Sequence, residues 1–479
     1  MATFKYFLPN FFRLKAIVEI FLYLLVIRLL KLIKVKIIQI DLLLFTAIIS
    51  GALFILLLQM LKISRAGKLE IMKVVIAGGG AAGFFAAISC KEQNPQTEVV
   101  ILESSNHLLE KVSLSGGKRC NLSNAQSDLR QFCSNYPRGT KELFSVFHRF
   151  SPEDTVKWFN SKGVLLKKES DGRVFPQSNH SHTIVDCLLN HARTSGVKIL
   201  QNHGLLRAVK LEDTTGFELT LTDQSKIRCN CLIIATGGTP GSNGITAAQS
   251  LGHMINKQIS SLFSFVINDP IINGLPGVTI PDAIVSVEAT KHQQRGAVLI
   301  THNGLSGPAI LRLSSFAARE LYNRAYHFSC TINWLPGFKE DEIFKKINSM
   351  RKSAAPRKVC QLSPFALPSR LWHSLAETVG CEQFLLWANL SKKQAFNLTE
   401  LLYRCKLDVS GKDTNRSEFV TCGGIKLSEI DFQTMESRVC PGLFFAGEVL
   451  DIDGVTGGFN LQAAWSTGYV AGTSAASRV

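Results

Sequence analysis

The chain has 479 residues, 46% of them hydrophobic and 19% charged, enough to bury a large core across two or three domains. Its net charge of +16 is uneven: ten Lys/Arg against three Asp/Glu give the first 71 residues +7, which leaves +9 for the remainder. That moderate excess fits a solvated basic surface first, and an RNA partner or anionic substrate second. The twelve cysteines include no C-x-x-C pair and only one close pair, Cys229 and Cys231, so no metal site and no disulfide framework are expected. Scattered thiols in a nucleotide-binding chain point to a reducing, cytoplasmic setting.

Residues 1–71 form a hydrophobic, basic extension unlike the rest. Leu42 to Leu61 is uncharged and long enough to span a bilayer, whereas Ala16 to Ile27 is shorter and interrupted by Glu19. Lys and Arg flank the longer run on both sides, so orientation stays open. The apolar region is too long for a cleavable secretory signal. Two readings remain: a membrane tether through 42–61, or a translation start placed upstream of the true one, since Met72 stands directly before the first strand.

From Met72 a short β-branched run breaks into glycines and then into an Ala-rich helical pattern, the spelling of strand, tight turn and helix. The turn carries Gly78-x-Gly80-x-x-Gly83. Gly78 allows the turn, Gly80 lets a pyrophosphate approach the backbone, and Gly83 lets the helix pack on the strand. The helix N-terminus, with Ala82 in its first turn, offers free N–H groups to phosphate. Val99 to Leu102 reads as the next strand and ends in Glu103, placed to accept from an adenosine ribose. A glycine-rich turn without a ligand is the bland alternative, and it does not account for the acid at the end of the second strand.

Glu110 to Asn124, with Lys111, Ser115-Gly116-Gly117-Lys118-Arg119-Cys120-Asn121, is polar and glycine-bearing and reads as a loop over the ligand crevice. Backbone N–H groups, Arg119 and Asn121 would line the cofactor there; an ordinary solvated loop is the alternative. Phe144 to Lys162 reads as one amphipathic helix, and Asp171 to Pro176 as a turn into an extended segment. Ile184 to Ala192 suggests a helix and Val197 to Leu200 a strand. Leu205 to Val209, Phe217 to Leu221 and Cys231 to Ala235 suggest a meander returning to the main sheet, ending in Thr236-Gly237-Gly238 where small residues admit a cofactor.

Short β-type runs with Gly/Pro turns then define a β-rich insert, 263–335, and a basic helical pattern broken by prolines defines a helical insert, 336–405. The closing segment, 406–479, completes the nucleotide-binding domain begun by 72–262. In it, Gly442 to Ala446 is strand-like and runs through Gly447-Glu448, Asp451, Asp453 and Gly457-Gly458 into a helix opening with Phe459-Asn460-Leu461. That helix start would present N–H groups to an anionic site such as a flavin's N1/O2 edge, and Glu448 would accept from ribityl hydroxyls. A structural strand-turn-helix with solvated acids is the alternative.

Six ordered motifs carry a family resemblance over about Met72 to Gly472: Gly78 to Gly83, Ser115 to Asn121, Asp171 to Pro176, Ala235 to Gly238, Thr301 to Pro308, and Gly447 to Asp451 with Gly457 to Asn460. Together they resemble the BaiN/RdsA family of FAD-dependent oxidoreductases. The resemblance implies an α/β fold, with a Rossmann-like FAD-binding domain built from both ends of the chain and β-barrel-like and helical inserts between them. It also implies chemistry on carbon–carbon bonds of ring substrates, and in one branch dihydrouridine formation in ribosomal RNA. Lys118 stands where many members carry a glycine, and Thr239 to Gly244 is shorter than the family's glycine-rich turn, which leaves the substrate side less defined than the FAD side.

Cofactor contacts are therefore expected from Gly78, Gly80, Ala82, Gly83, Glu103, Lys111, Gly117, Arg119, Asn121, Thr236, Gly237, Gly447, Glu448, Gly458, Asn460 and Leu461. Hydride transfer through flavin N5 needs a proton donor or clamp, for which the candidates are Cys120, Arg173, His302 and Ser306. Each has a structural alternative: Cys120 packed, His302 and Ser306 holding a turn, Arg173 in a surface ion pair. No second G-x-G-x-x-G follows, so NADH or NADPH as electron donor would have no dedicated domain. The competing readings are an RNA-modifying flavoenzyme gripping phosphates with Lys345, Lys346, Arg351, Lys352, Arg357 and Lys358, and a non-catalytic FAD-stabilised scaffold.

Overall fold

The computed structural model describes residues 21–28, 72–212, 216–413 and 420–478, and the chain divides into two compact units, Met1–Glu70 and Ile71–Val479. In the first unit residues 21–28 are helical; the apolar run 42–61, where a membrane tether is expected, lies outside the described residues. No helix among the described residues is long and apolar enough to cross a membrane.

The second unit is built around β1 (Lys73–Ala77). Val74, Val75 and Ile76 are wholly buried, as a strand covered on both faces requires. It pairs in parallel with β2 (Glu98–Leu102) on one side and β3 (Cys231–Ile234) on the other. Beyond β3 lies parallel β4 (Leu443–Phe445), and beyond β2 the parallel strand Lys198–Leu200. Two short antiparallel strands, 436–437 and 430–431, finish the β4 edge of this seven-stranded sheet.

Helices α1 (Ala81–Gln93), α2 (Glu110–Lys118), α3 (Asn243–Ser250), α4 (Pro308–Phe316) and α5 (Phe459–Ala476) set the site. α1 and α5 pack on each other and are apolar nearly all round, the pattern of helices surrounded by protein. Their closeness is a backbone matter. A Cβ on Gly468 would sit 2.5 Å from the Ala82 carbonyl oxygen, and one on Gly472 2.1 Å from that of Ala86. The buried polar groups of α5 are paired: the Gln462 amide accepts from Ser123 Oγ (2.6 Å) and donates to Thr155 Oγ1 (2.7 Å), and Trp465 Nε1 donates to the Leu122 carbonyl (3.0 Å).

Two expectations change. The helix read over 144–162 is two helices, Thr140–Arg149 and Pro152–Ser161, because Ser151 caps the second reciprocally with Asp154 and Pro152 takes its first position. The segment read as a loop from Glu110 is helical for its first turn and a half. It breaks where Ser115 is extended (ψ 149°) and Gly116 and Gly117 are left-handed (φ 58° and 68°).

The β-rich insert is a seven-stranded antiparallel sheet, and it carries α4 and a second helix, Ala318–Asn323, which the β-type texture did not announce. Its strands include Cys405–Val409 and Gly411–Lys412, so the boundary expected at 405 falls inside the sheet. The three main helices of the helical insert (340–353, 369–378 and 392–403) bury Trp372, Leu398 and Leu402 in the same apolar cluster as Val285, Ile332 and Trp334 of the sheet, so the two inserts share one core.

Gly472→Ala tests the α1–α5 contact: a methyl directed at the Ala86 carbonyl overpacks the crossing and should cost about 1–3 kcal/mol. A thermal melt lower than the parent's by several degrees is the expected result, and an unchanged melt contradicts the packing.

Candidate active site and cofactor cavity

Parallel strands end together, and Ala77, Leu102, Ala235 and Ala446, at or just past the carboxyl ends of β1, β2, β3 and β4, all line one cavity of about 1860 Å³. Five helices begin at it. The first residues of α1, α2, α3, α4 and α5 line the cavity, and none of the five has a side-chain cap. Uncapped first turns leave N–H groups without intrahelical acceptors and place partial positive charge at the cavity wall.

The Gly78–Gly83 turn has the geometry its spacing predicts. Gly78 is at φ 119°, a Cβ on Gly83 would meet the Gly78 carbonyl oxygen at 1.9 Å, and a Cβ on Gly80 would point into open space. The backbone at Gly80 is thus free to meet a ligand. Glu103 ends β2 beside it, accepting from the Gly79 N–H (2.9 Å) and the Ser105 N–H (2.8 Å), which fixes its carboxylate at the cavity edge.

Ala82, Lys111, Asn121, Thr236, Gly237, Gly447, Glu448, Gly458, Asn460 and Leu461 also line the wall. Glu448 accepts from Lys111 Nζ (2.8 Å) and from the Thr421 N–H (2.8 Å). The Asn121 amide, oriented by its neighbours, accepts from the Gly458 N–H (3.0 Å) and donates to the Ser123 carbonyl (3.2 Å), joining the loop after α2 to the start of α5. Asn460 closes the preceding turn with two bonds to the Gly454 backbone (2.7 and 2.8 Å).

Other expected residues lie elsewhere. Gly83 and Gly117 do not reach the wall. Arg119 is turned away, donating to Glu169 (2.7 Å) with its guanidinium 4.0 Å above the Phe175 ring. Cys120 is fully buried off the cavity, and burial pushes its thiol up to about 12 against a Ser115 hydrogen bond, the signature of a packed thiol. His302 is exposed and borders a separate hollow of about 380 Å³ with Asn268, Asn273 and Lys412. Ser306 is buried and accepts from Ser264 Oγ (2.7 Å). Arg173 does line the main cavity, held by Asp171 (2.6 Å) and Glu169 (3.0 Å). Among the described residues no group of three or more His, Cys, Asp or Glu is placed to hold a metal ion.

Sequence reasoning missed a buried network under the cavity floor. Arg138 pairs with Asp453 through Nε (2.5 Å) and its terminal nitrogens, and donates to the Ser315 carbonyl of α4 (2.6 Å). Ser261 donates to the same carboxylate (2.6 Å). Asp451, two residues earlier, accepts from Arg319 (2.5 Å), Asn256 (2.7 Å) and the Gly423 N–H (3.0 Å). Arg138 and Asp453 are 315 residues apart, so no local pattern links them.

Fit to FAD can be judged from what the cavity leaves unpaired. Thr236 Oγ1, Ser242 Oγ and Arg312 Nε are buried at its wall and meet no hydrogen-bond partner among the described residues. An unmade buried hydrogen bond costs about 1–3 kcal/mol, so three at one cavity mark a place where a ligand completes the bonding. Helix N-termini for a diphosphate, an acid at the ribose position and small residues at the strand ends suit a dinucleotide.

Residues 72–474 match the family model described as the HI0933-like protein Rossmann domain. The chain is similar to the ribosomal RNA dihydrouridine synthase of Escherichia coli K12, 29% identical over 84% of this chain and 97% of that protein. It is also similar to the 3-dehydro-bile acid delta(4,6)-reductase of Clostridium scindens, 27% identical over 85% of this chain and 99% of that protein. Among solved structures it resembles a 3-ketosteroid-Δ4-(5α)-dehydrogenase from Rhodococcus jostii RHA1, with a TM-score of 0.46 and 15% identity over 86% of this chain and 99% of that one.

The buried pair gives a test with a sign. Burial pushes the Asp453 carboxyl above the usual carboxylate range, while Arg138 and Ser261 pull it back. Arg138→Met strands that carboxylate, which should cost about 3–5 kcal/mol at neutral pH. Its pKa then rises further, so protonation relieves the charge and the deficit shrinks as pH falls. Thermal melts of parent and variant at neutral and mildly acidic pH read this; equal deficits at both would contradict it.

Proposed function

This chain belongs to the HI0933-like family and is an FAD-dependent oxidoreductase, and from that premise we propose that it reduces or oxidises a carbon–carbon bond in a ring substrate. The observation that carries this reading is the single cavity with two unlike walls. One wall is the glycine turn, Glu103 and the helix N-termini; the other comes from Leu262 and, in the β-rich insert, Phe263, Leu311 and Arg312. Saturation of a ring double bond is also the chemistry common to the names of the two relatives.

FAD, when bound, supplies hydride chemistry at its N5. In this reading the Gly78–Gly80 backbone and the start of α1 hold its diphosphate, and Glu103 accepts from the adenosine ribose. Glu448 accepts from the ribityl chain, Thr236 and Gly237 border the same path, and the start of α5 stabilises negative charge at the ring edge. Arg173, fixed by Asp171 and Glu169, is a positioned cation at the cavity mouth rather than a proton donor. Its ion pairs leave it able to orient a carbonyl. The twelve buried free thiols favour a reducing compartment, the cytoplasm.

A second reading, RNA as substrate, is favoured by one surface feature. Phe384 is 70% exposed on the helical insert with Lys358 Nζ 4.3 Å above its ring, an aromatic and a cation of the kind on which an unstacked base rests. Of the other basic residues there, Lys345 pairs with Asp341 (3.2 Å) and Lys346 covers Phe338, so the insert offers fewer free cations than its sequence suggests.

An absorbance spectrum of the purified protein, taken before and after anaerobic NADH or NADPH, tests the function. Bands near roughly 370 and 450 nm that bleach are expected for a nicotinamide-fed flavoenzyme. Persistent bands would remove NAD(P)H as donor, and a protein colourless after added FAD would overturn the reading. Steep salt dependence of RNA binding would select the second substrate class, and indifference to RNA would dismiss it.

A further inference from the structure

Two arginines line the cavity, and they differ. Arg173 is neutralised by Asp171 and Glu169, whereas the Arg312 side chain makes no hydrogen bond or ion pair with any described residue. Its Nε is sealed from solvent without an acceptor. Arg312 stands on α4 one turn after Pro308 and lines the cavity together with Leu262, Phe263 and Leu311. Its position is not loose. α4 is tied to the buried network below it through the Ser315 carbonyl, which accepts from Arg138, and through Ser314 Oγ, which accepts from the Phe263 N–H (2.9 Å).

A permanently charged group kept partly out of water and without a counter-ion is costly unless a ligand supplies one. Of the other acids on the wall, Glu103 is fixed by the Gly79 and Ser105 N–H groups, Glu448 by Lys111 and Thr421, and Asp171 by Arg173, while Glu110 opens α2 and is exposed to solvent. Asp413, also on the wall, has a partner of its own. A planar guanidinium presenting a fork of N–H donors matches a carboxylate or phosphate two bonds at a time.

We propose that Arg312 is the substrate-binding residue of this cavity and that the ring substrate it selects carries an anionic oxygen group, a carboxylate or a phosphate. The proposal rests on the flavin-oxidoreductase reading and deepens it. Leu262, Phe263 and Leu311 cover the ring, and Arg312 fixes its orientation by the anion, leaving the opposite wall to the cofactor.

The test uses the full chain loaded with FAD and follows the flavin absorbance during titration with 2-naphthoate or its methyl ester, and with uridine 5′-monophosphate or uridine. The expected result is saturable perturbation by the acid or the nucleotide, with the ester or the nucleoside much weaker. Arg312→Met should then weaken the anion roughly ten- to hundredfold and leave its neutral partner unchanged, as loss of a charge-assisted pair predicts. Arg312→Lys, which keeps the charge but not the fork, should fall between them. Dependence on Arg312 for naphthoate alone assigns a ring acid; dependence for the nucleotide alone assigns a nucleotide phosphate.

Equal binding of charged and neutral partners, parent-like binding by Arg312→Met, or no perturbation by either anion would overturn the proposal. So would loss of FAD affinity in both variants, which would make Arg312 a cofactor ligand. A parent protein that takes up no FAD at all would instead overturn the flavoenzyme reading beneath it.

Discussion

The contact between α1 and α5 is the constraint on which the rest of this protein depends. Two segments near opposite ends of the folded unit meet at a crossing where Gly468 and Gly472 bring backbone against backbone, too close for a methyl group. Such proximity gives neither helix freedom to shift along the other. The turn before α1 and the turn before α5 therefore face each other across one cavity at a fixed separation. The N–H groups of both first turns are aimed before any ligand arrives, which is the condition under which helix termini bind anions well.

That fixed pair of turns would be half a site without the inserts, and the inserts are held by charge. Asp451 and Asp453 follow β4 and are both buried, each with an arginine from another part of the fold. A buried ion pair returns little net stability, because desolvation offsets most of the attraction. What it does impose is register: neither carboxylate can leave its arginine without becoming an unpaired charge. Arg138 reads this register into α4 by donating to the Ser315 carbonyl, so the wall that bears Arg312 is referenced to the same loop that starts α5. The common core of the two inserts makes that wall one body rather than two.

What could be read from the sequence followed from how local the cause is. Gly78, Gly80 and Gly83 serve demands made within a single turn, and Glu103 sits where the neighbouring strand must end, so spacing alone placed them. The break at Ser151-Pro152 was equally local, since a capping serine, a first-position proline and an acid three residues on were all present. It was lost because the apolar period ran across it. Arg119 illustrates a different limit. Its neighbours Gly116 and Asn121 line the cavity, but Glu169 and Phe175, from a hairpin distant in sequence, turn the Arg119 side chain away. Cys120 likewise carried a reactive residue type into a dry position. For Arg138 with Asp453, and for Arg312, the defining fact is a partner or the lack of one. Neither fact is written in the local sequence.

The charges at the cavity can be set against one another. Lys111 is answered by Glu448 and Arg173 by Asp171 and Glu169, and the carboxylate of Glu103 is spent on backbone N–H groups. Beside these stand the uncapped helix starts and the Arg312 guanidinium, and the exposed Glu110 and Lys168 add one charge of each sign. In the proposed arrangement the diphosphate of a dinucleotide would be met by backbone at the start of α1, on the strand-end side. It would lie against dipoles whose influence fades within about a turn. In that arrangement the Arg312 guanidinium on the insert is the group left to a second ligand, and this asymmetry would give the substrate side a chemical identity of its own.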